Sequence, residues 1–79
     1  METKAFDRIT FNPEILRGKA TIRNMRITVS LILNLVANGM TPEKIIKEYP
    51  SLEPDDIQQT LNYAAYLASE EVYPQAAGS

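Results

Sequence analysis

The pattern of apolar residues changes from short alternating stretches to helical spacing near Val29. Residues 8–11 and 25–29 alternate polar and apolar side chains, which predicts two short strands, each with one face toward water. The strands could pair with each other or each with a second chain. From Val29 onward the spacing predicts helices at residues 29–38, 42–48 and 54–71, followed by a frayed tail at 72–79. We therefore predict one domain over residues 1–79, mainly α, with a short N-terminal pair of β-strands.

Two breaks that contain proline separate the predicted helices. In each break an apolar residue, Met40 or Leu52, precedes the expected N-cap, and proline follows at the first helical position, where its missing N–H costs nothing. The fourth residue of each helix is isoleucine, Ile45 or Ile57, which is the spacing of a hydrophobic staple. The middle helix is only about 10 Å long at 1.5 Å per residue. A short helix between two tight turns predicts a trihelical, homeodomain-like helix-turn-helix core.

The composition argues against catalysis. With no histidine and no cysteine, the commonest nucleophiles, bases and metal ligands are missing. We therefore expect a protein that is not an enzyme and has no cofactor, no metal and no small-molecule substrate. The longest apolar stretch, Leu31 to Ala37, is too short to span a bilayer, and the N-terminus does not resemble a signal peptide. A cytoplasmic protein without membrane association is expected.

Charge is distributed unevenly along the chain. Residues 1–28 carry six Lys and Arg against three Asp and Glu, a net +3, whereas residues 29–79 carry two against seven, a net −5. A polyanion should therefore prefer the N-terminal part. The candidate phosphate contacts are Arg17, Lys19, Arg23 and Arg26. The alternative interpretation is an ordinary, unevenly charged surface that binds no ligand.

The third predicted helix would be the recognition helix if the last two helices enter DNA as a helix-turn-helix. Its candidate base-reading residues are Gln58, Gln59 and Asn62, because Gln and Asn amides can pair bidentately with adenine. Three carboxylates, Glu53, Asp55 and Asp56, precede them where phosphates would approach. Acids in a first helical turn stabilise the helix, and we interpret these three in that way.

The C-terminal part carries more apolar surface than three short helices can cover. The candidate partner-binding residues are Tyr63, Tyr66, Leu67 and Tyr73. Tyrosine is enriched at protein interfaces, although the same residues would also be ordinary in a core, and both interpretations stay open. Because so small a domain often gains apolar contact from a second copy, we expect a homodimer.

The order and spacing of several residues resemble a known bacterial and archaeal family. They are Ile9, Pro13, Gly18-Lys19, Ile22, Arg26-Ile27, Val29, Gly39, Tyr49-Pro50, Leu52 and Asp56-Ile57. The pattern resembles the family catalogued as domain of unknown function 433, a small homeodomain-like helix-turn-helix group. The resemblance implies an antitoxin-like module whose partner is a PIN-like toxin protein, with operator DNA as a further candidate ligand. The alternative is a protein-interaction or homodimerisation domain that does not contact nucleic acid.

Overall fold

Three helices follow a short two-stranded sheet in the computed structural model, which describes residues 6–69. The elements are β1 (Ile9–Thr10), β2 (Thr21–Ile22), α1 (Val29–Ala37), α2 (Pro42–Glu48) and α3 (Pro54–Ser69), with a 3-10 turn at Leu16–Gly18. The mainly α fold with an N-terminal strand pair is confirmed. The homeodomain-like arrangement remains a prediction, and residues 70–71 of the predicted third helix and the tail at 72–79 lie outside the described residues.

Both ends of α1 follow from local hydrogen bonding. The Thr28 hydroxyl accepts a hydrogen bond from the amide three residues later at 2.9 Å, which caps the N-terminus. At the other end, Gly39 has φ +90°, and its amide donates to the carbonyl of Val36 at 2.9 Å. The next amide, of Met40, donates to Leu35 at 3.0 Å. These two bonds form a Schellman motif, which needs a residue that tolerates positive φ.

The starts of α2 and α3 agree with the predicted proline positions. Thr41 caps α2, because its hydroxyl accepts a hydrogen bond from the amide of Lys44 at 3.2 Å. At α3, the carboxylate of Asp56 accepts from the backbone amide of Glu53 at 2.8 Å. That bond is the part of a capping box in which an acid at the third helical position reaches back to the N-cap.

The core collects apolar residues from every element. Its buried members are Ile9, Ile22, Val29, Ile32, Ile45, Leu52 and Ile57. Both isoleucines of the predicted staples are among them, and Met40 packs against this core from its edge. The core therefore joins the sheet to all three helices. No helix within residues 6–69 has the length and apolar character needed to cross a bilayer.

The predicted position of the second strand, residues 25–29, is wrong. β2 lies earlier, at Thr21–Ile22, and pairs antiparallel with β1 so that Ile9 faces Ile22 within one chain. The chain then turns tightly through Arg23 and Asn24, which both have positive φ, and Thr28 forms only an isolated bridge with Thr21. The alternation at 25–29 does not produce a strand because Thr28 ends it as the N-cap of α1.

Candidate functional site

Asp56, in the first turn of α3, carries a buried carboxylate that contacts residues flanking the sheet. Its side chain has an exposed fraction of 0%. The guanidinium of Arg23 binds both carboxylate oxygens, through Nε at 3.0 Å and Nη2 at 2.7 Å. Nη1 of Arg8 binds Oδ1 at 2.9 Å. Together with the Glu53 amide, these donors satisfy a charge that would otherwise be costly to bury.

The two arginines of this cluster also bind other groups near the start of α3. Nη1 of Arg8 contacts the carboxylate of Glu53 at 2.8 Å, and Nη2 of Arg23 donates to the carbonyl oxygen of Ser51 at 2.8 Å. The side chains of Arg8 and Arg23 reach the surface, with exposed fractions of 26% and 36%. We call Arg8, Arg23, Glu53 and Asp56 the Asp56 cluster.

The pKa values in the Asp56 cluster follow from these contacts. Burial by itself would raise the pKa of Asp56, but the hydrogen bonds from Arg23, Arg8 and the Glu53 amide lower it below its ordinary value. The Glu53 and Asp56 carboxylates raise the pKa of Arg8, and Asp56 raises that of Arg23. All of these shifts favour the charged forms.

The predicted phosphate contacts are placed in different surroundings. The guanidinium of Arg23 already forms a salt bridge with Asp56. A phosphate contact by Arg23 remains a prediction, and it would have to form beside this salt bridge. Arg17, Lys19 and Arg26 are exposed, and no salt bridge joins them to a carboxylate within residues 6–69. Their cationic groups are therefore accessible to an anionic ligand.

Two of the three predicted base-reading residues are exposed, and the third forms hydrogen bonds within the fold. Gln58 and Asn62 are exposed on one face of α3 and hydrogen-bond each other at 3.1 Å. Gln59 instead accepts from the Arg8 amide at 2.6 Å and donates to Asp7 at 3.2 Å. It thus fastens the segment before β1 to α3. We call Gln58 and Asn62 the amide face.

Four aromatic rings contact one another between the N-terminal segment and α3. Phe6 lies 5.3 Å from Tyr63 and 5.5 Å from Tyr66, measured between ring centroids, and Phe11 lies 6.4 Å from Tyr63. Two of the large apolar side chains in this region, Phe11 at 59% and Tyr66 at 51%, are strongly exposed, and so is Leu67 of α3 at 48%. We call these four rings and Leu67 the aromatic surface. The remaining predicted partner-binding residue, Tyr73, lies outside the described residues.

The sequence comparison agrees with the pattern of residues seen in the chain. The sequence model of a family described as "Protein of unknown function (DUF433)" matches residues 9–64, well over half of the chain. The chain belongs to the DUF433 family. No curated protein and no solved structure matches it significantly. The DUF433 match includes the amide face and most of the Asp56 cluster, but it ends before Tyr66 and Leu67 of the aromatic surface.

Sequence reasoning missed two features of this DUF433 domain. It assigned Asp56 to helix stabilisation and left Arg8 without a role, because their partnership joins residues far apart in sequence. It also left out Phe6 and Phe11, which complete the aromatic surface. The acid at the third helical position is a sequence signal for the bond between Asp56 and the Glu53 amide, but no local pattern points to the two arginines. Within the described part of the chain, no group of three or more potential ligand residues could hold a metal ion.

Proposed function

We propose that this DUF433 domain is an antitoxin-like module whose main ligand is a protein. The observation that carries the proposal is the aromatic surface, where contacts through Phe6 and Tyr63 connect two rings that are about half exposed, Phe11 and Tyr66. Leu67, the next residue after Tyr66 in α3, is exposed to a similar degree. A contiguous apolar patch on a small domain is typical of an interaction site, and tyrosine is common at the centre of such sites. The family resemblance supplies the class of partner, a PIN-like toxin.

The test is co-expression of the domain with the protein encoded by the neighbouring gene, followed by purification through a tag on the domain. We expect a complex, and we expect Tyr66→Ala and Leu67→Ala to weaken it. An interface residue of this kind typically contributes about 2 kcal/mol, which corresponds to roughly a 30-fold change in Kd. Leu31→Ala, the same truncation at a half-buried position on α1, is the matched control and should leave the Kd unchanged.

Two results would contradict this proposal. If the wild-type domain forms no complex, the proposal that its main ligand is this protein is wrong. A domain that is dimeric alone, and that becomes monomeric with Tyr66→Ala, assigns the aromatic surface to a second copy of the chain. The latter result supports the alternative function, a homodimerisation domain. Light scattering on the purified domain, run at several concentrations, separates the two outcomes.

Operator DNA is a second candidate ligand, favoured by the surroundings of the amide face. The acids at the start of α3 are partly offset by the arginines of the Asp56 cluster, so the approach of phosphate is less opposed than the sequence suggests. Gln58 and Asn62 remain accessible beside it. A shallow depression of about 180 Å³ includes both residues together with Arg8, and Asp55 lies in the same lining within 3.7 Å of the Arg8 guanidinium.

A gel shift with the DNA upstream of the gene tests this candidate. We expect binding that weakens as salt rises, because each phosphate contact releases counterions. Arg26→Ala should reduce the salt slope by about 1, whereas Gln58→Ala should weaken binding mainly to the preferred sequence. Both residues are exposed and outside the Asp56 cluster, so neither change should unfold the domain. If the affinity for DNA changes neither with salt concentration nor with either substitution, the proposal that the domain binds operator DNA is wrong.

A further inference from the structure

A groove that shares Tyr63 and Leu67 with the aromatic surface combines an apolar lining with cations. It has a volume of about 480 Å³ and lies between the first turn of α1 and the C-terminal half of α3. Its apolar lining includes Val29, Leu33, Tyr63 and Leu67, and Lys19 borders it. A second depression, of about 370 Å³, shares Lys19 and adds the side chain of Arg17. We call the two together the cationic groove.

The charge of the cationic groove has one sign. Its lining within the described residues contains Arg17 and Lys19 and no carboxylate. The exposed acids of α2 and of the start of α3 line neither depression; they are Glu43, Glu48, Glu53 and Asp55. A ligand that presents carboxylates beside apolar side chains would therefore meet complementary chemistry along the whole groove.

We propose that the cationic groove binds an acidic segment of the partner protein that also carries apolar side chains. This inference rests on the proposed function, because it names the part of the partner that the module recognises. The apolar side chains of the segment cover Leu33, Tyr63 and Leu67, and its carboxylates pair with Lys19 and Arg17. The ion pairs set partner choice and association rate, and a like charge placed opposite the segment's carboxylates would oppose binding directly.

The apolar lining favours a protein over a nucleic acid in this groove. A phosphate backbone would pair with Lys19 and Arg17, but it would leave the apolar side chains of Leu33 and Leu67 uncovered. The groove also lies away from the amide face: Leu67 follows Gln58 by nine positions, which is about 180° around a helix at 3.6 residues per turn. A duplex on the amide face would therefore not lie along the groove.

The experiment titrates the isotope-labelled full chain with two short synthetic peptides of identical leucine pattern. One peptide carries Glu at its polar positions and the other carries Lys. We expect the Glu peptide to shift the amide resonances of Lys19, Thr28 and Leu33, with an affinity that falls as salt rises. Lys19→Glu should weaken binding of the Glu peptide at least tenfold and strengthen binding of the Lys peptide. Lys44→Glu, the same charge reversal at an exposed lysine on α2, is the control and should change neither.

Several results would overturn the inference. Equal binding of the two peptides, or equal effects of Lys19→Glu and Lys44→Glu, would remove the specific role of the groove. If duplex DNA displaces the Glu peptide, the cations of the groove bind nucleic acid instead. If self-association of the domain shifts the same amide resonances, the groove binds a second copy of the chain. If the wild-type domain binds the protein from the neighbouring gene and Lys19→Glu does not weaken that complex, only this inference fails. If the wild type forms no such complex, the proposed function fails as well.

Discussion

Replacement of Asp56 by alanine tests the central claim about how this fold is held together. The carboxylate accepts four hydrogen bonds, three from the arginines and one from the Glu53 amide, while being fully buried. Removing one member of a buried ion pair costs about 3–5 kcal/mol. Because Arg8 and Arg23 reach water, we expect the lower end, about 3 kcal/mol. Loss of the hydrogen bond from the N-cap amide of Glu53 adds about 1 kcal/mol.

The expected total, about 4 kcal/mol, is large for this chain. At roughly 0.05–0.15 kcal/mol per residue, a domain of 79 residues has a free energy of unfolding of about 4–12 kcal/mol. Asp56→Ala should therefore leave the domain close to the limit of folding. Urea denaturation followed by circular dichroism measures the loss as a lower midpoint at constant m.

The neighbouring residue supplies the matched control. Asp55 is 80% exposed and lies 3.7 Å from Arg8. An exposed pair of this kind contributes little, so Asp55→Ala should cost less than about 0.5 kcal/mol. Equal losses for Asp55→Ala and Asp56→Ala, or a loss below about 1 kcal/mol for Asp56→Ala, would refute the argument that the buried ion pairs fasten the sheet to α3.

Three further predictions concern acid stability and the helix ends. The pKa of Asp56 lies below its ordinary value of 3.8, so the unfolded chain binds its proton first as pH falls, and the stability that this carboxylate contributes is lost. The difference in unfolding free energy between wild type and Asp56→Asn should therefore stay constant near neutral pH and shrink as pH falls through 3.8 toward the lower pKa of the folded state; a difference that stays constant in acid would contradict the assignment. Gly39→Ala places a Cβ at φ +90° and should cost about 1–2 kcal/mol in urea denaturation, whereas an unchanged midpoint would argue against the Schellman turn. Thr41→Ala removes the α2 cap and should cost about 1 kcal/mol, with Thr41→Ser as the control that restores the hydroxyl; equal losses in both would exclude capping as the cause.

The helices could be predicted from the sequence because their ends are locally encoded. Pro42 and Pro54 each fix a start, and the predicted bounds of α2 agree with those observed. The second strand could not be placed in the same way. A strand of two residues gives almost no alternation, and its position depends on a turn through Arg23, whose positive φ is unusual for arginine.

The candidate site was less predictable than the fold. The two arginine partners of Asp56 lie 33 and 48 residues away in sequence, so no local pattern could identify them. Exposure of Tyr66 and Leu67 was one of two open interpretations, because a helix pattern does not say which apolar residues extend past the core. The cations at Arg17 and Lys19 were visible in composition, but their common groove depends on how the loop before β2 packs.

The wide sequence separation within the Asp56 cluster has a consequence for synthesis on the ribosome. Two strands of two residues are too short to persist alone in water. The side-chain hydrogen bonds that fasten them to α3 come from Asp56 and Gln59, which are translated more than thirty residues after Arg23. The first third of the nascent chain should thus leave the exit tunnel without lasting structure and acquire it only once the last helix has emerged.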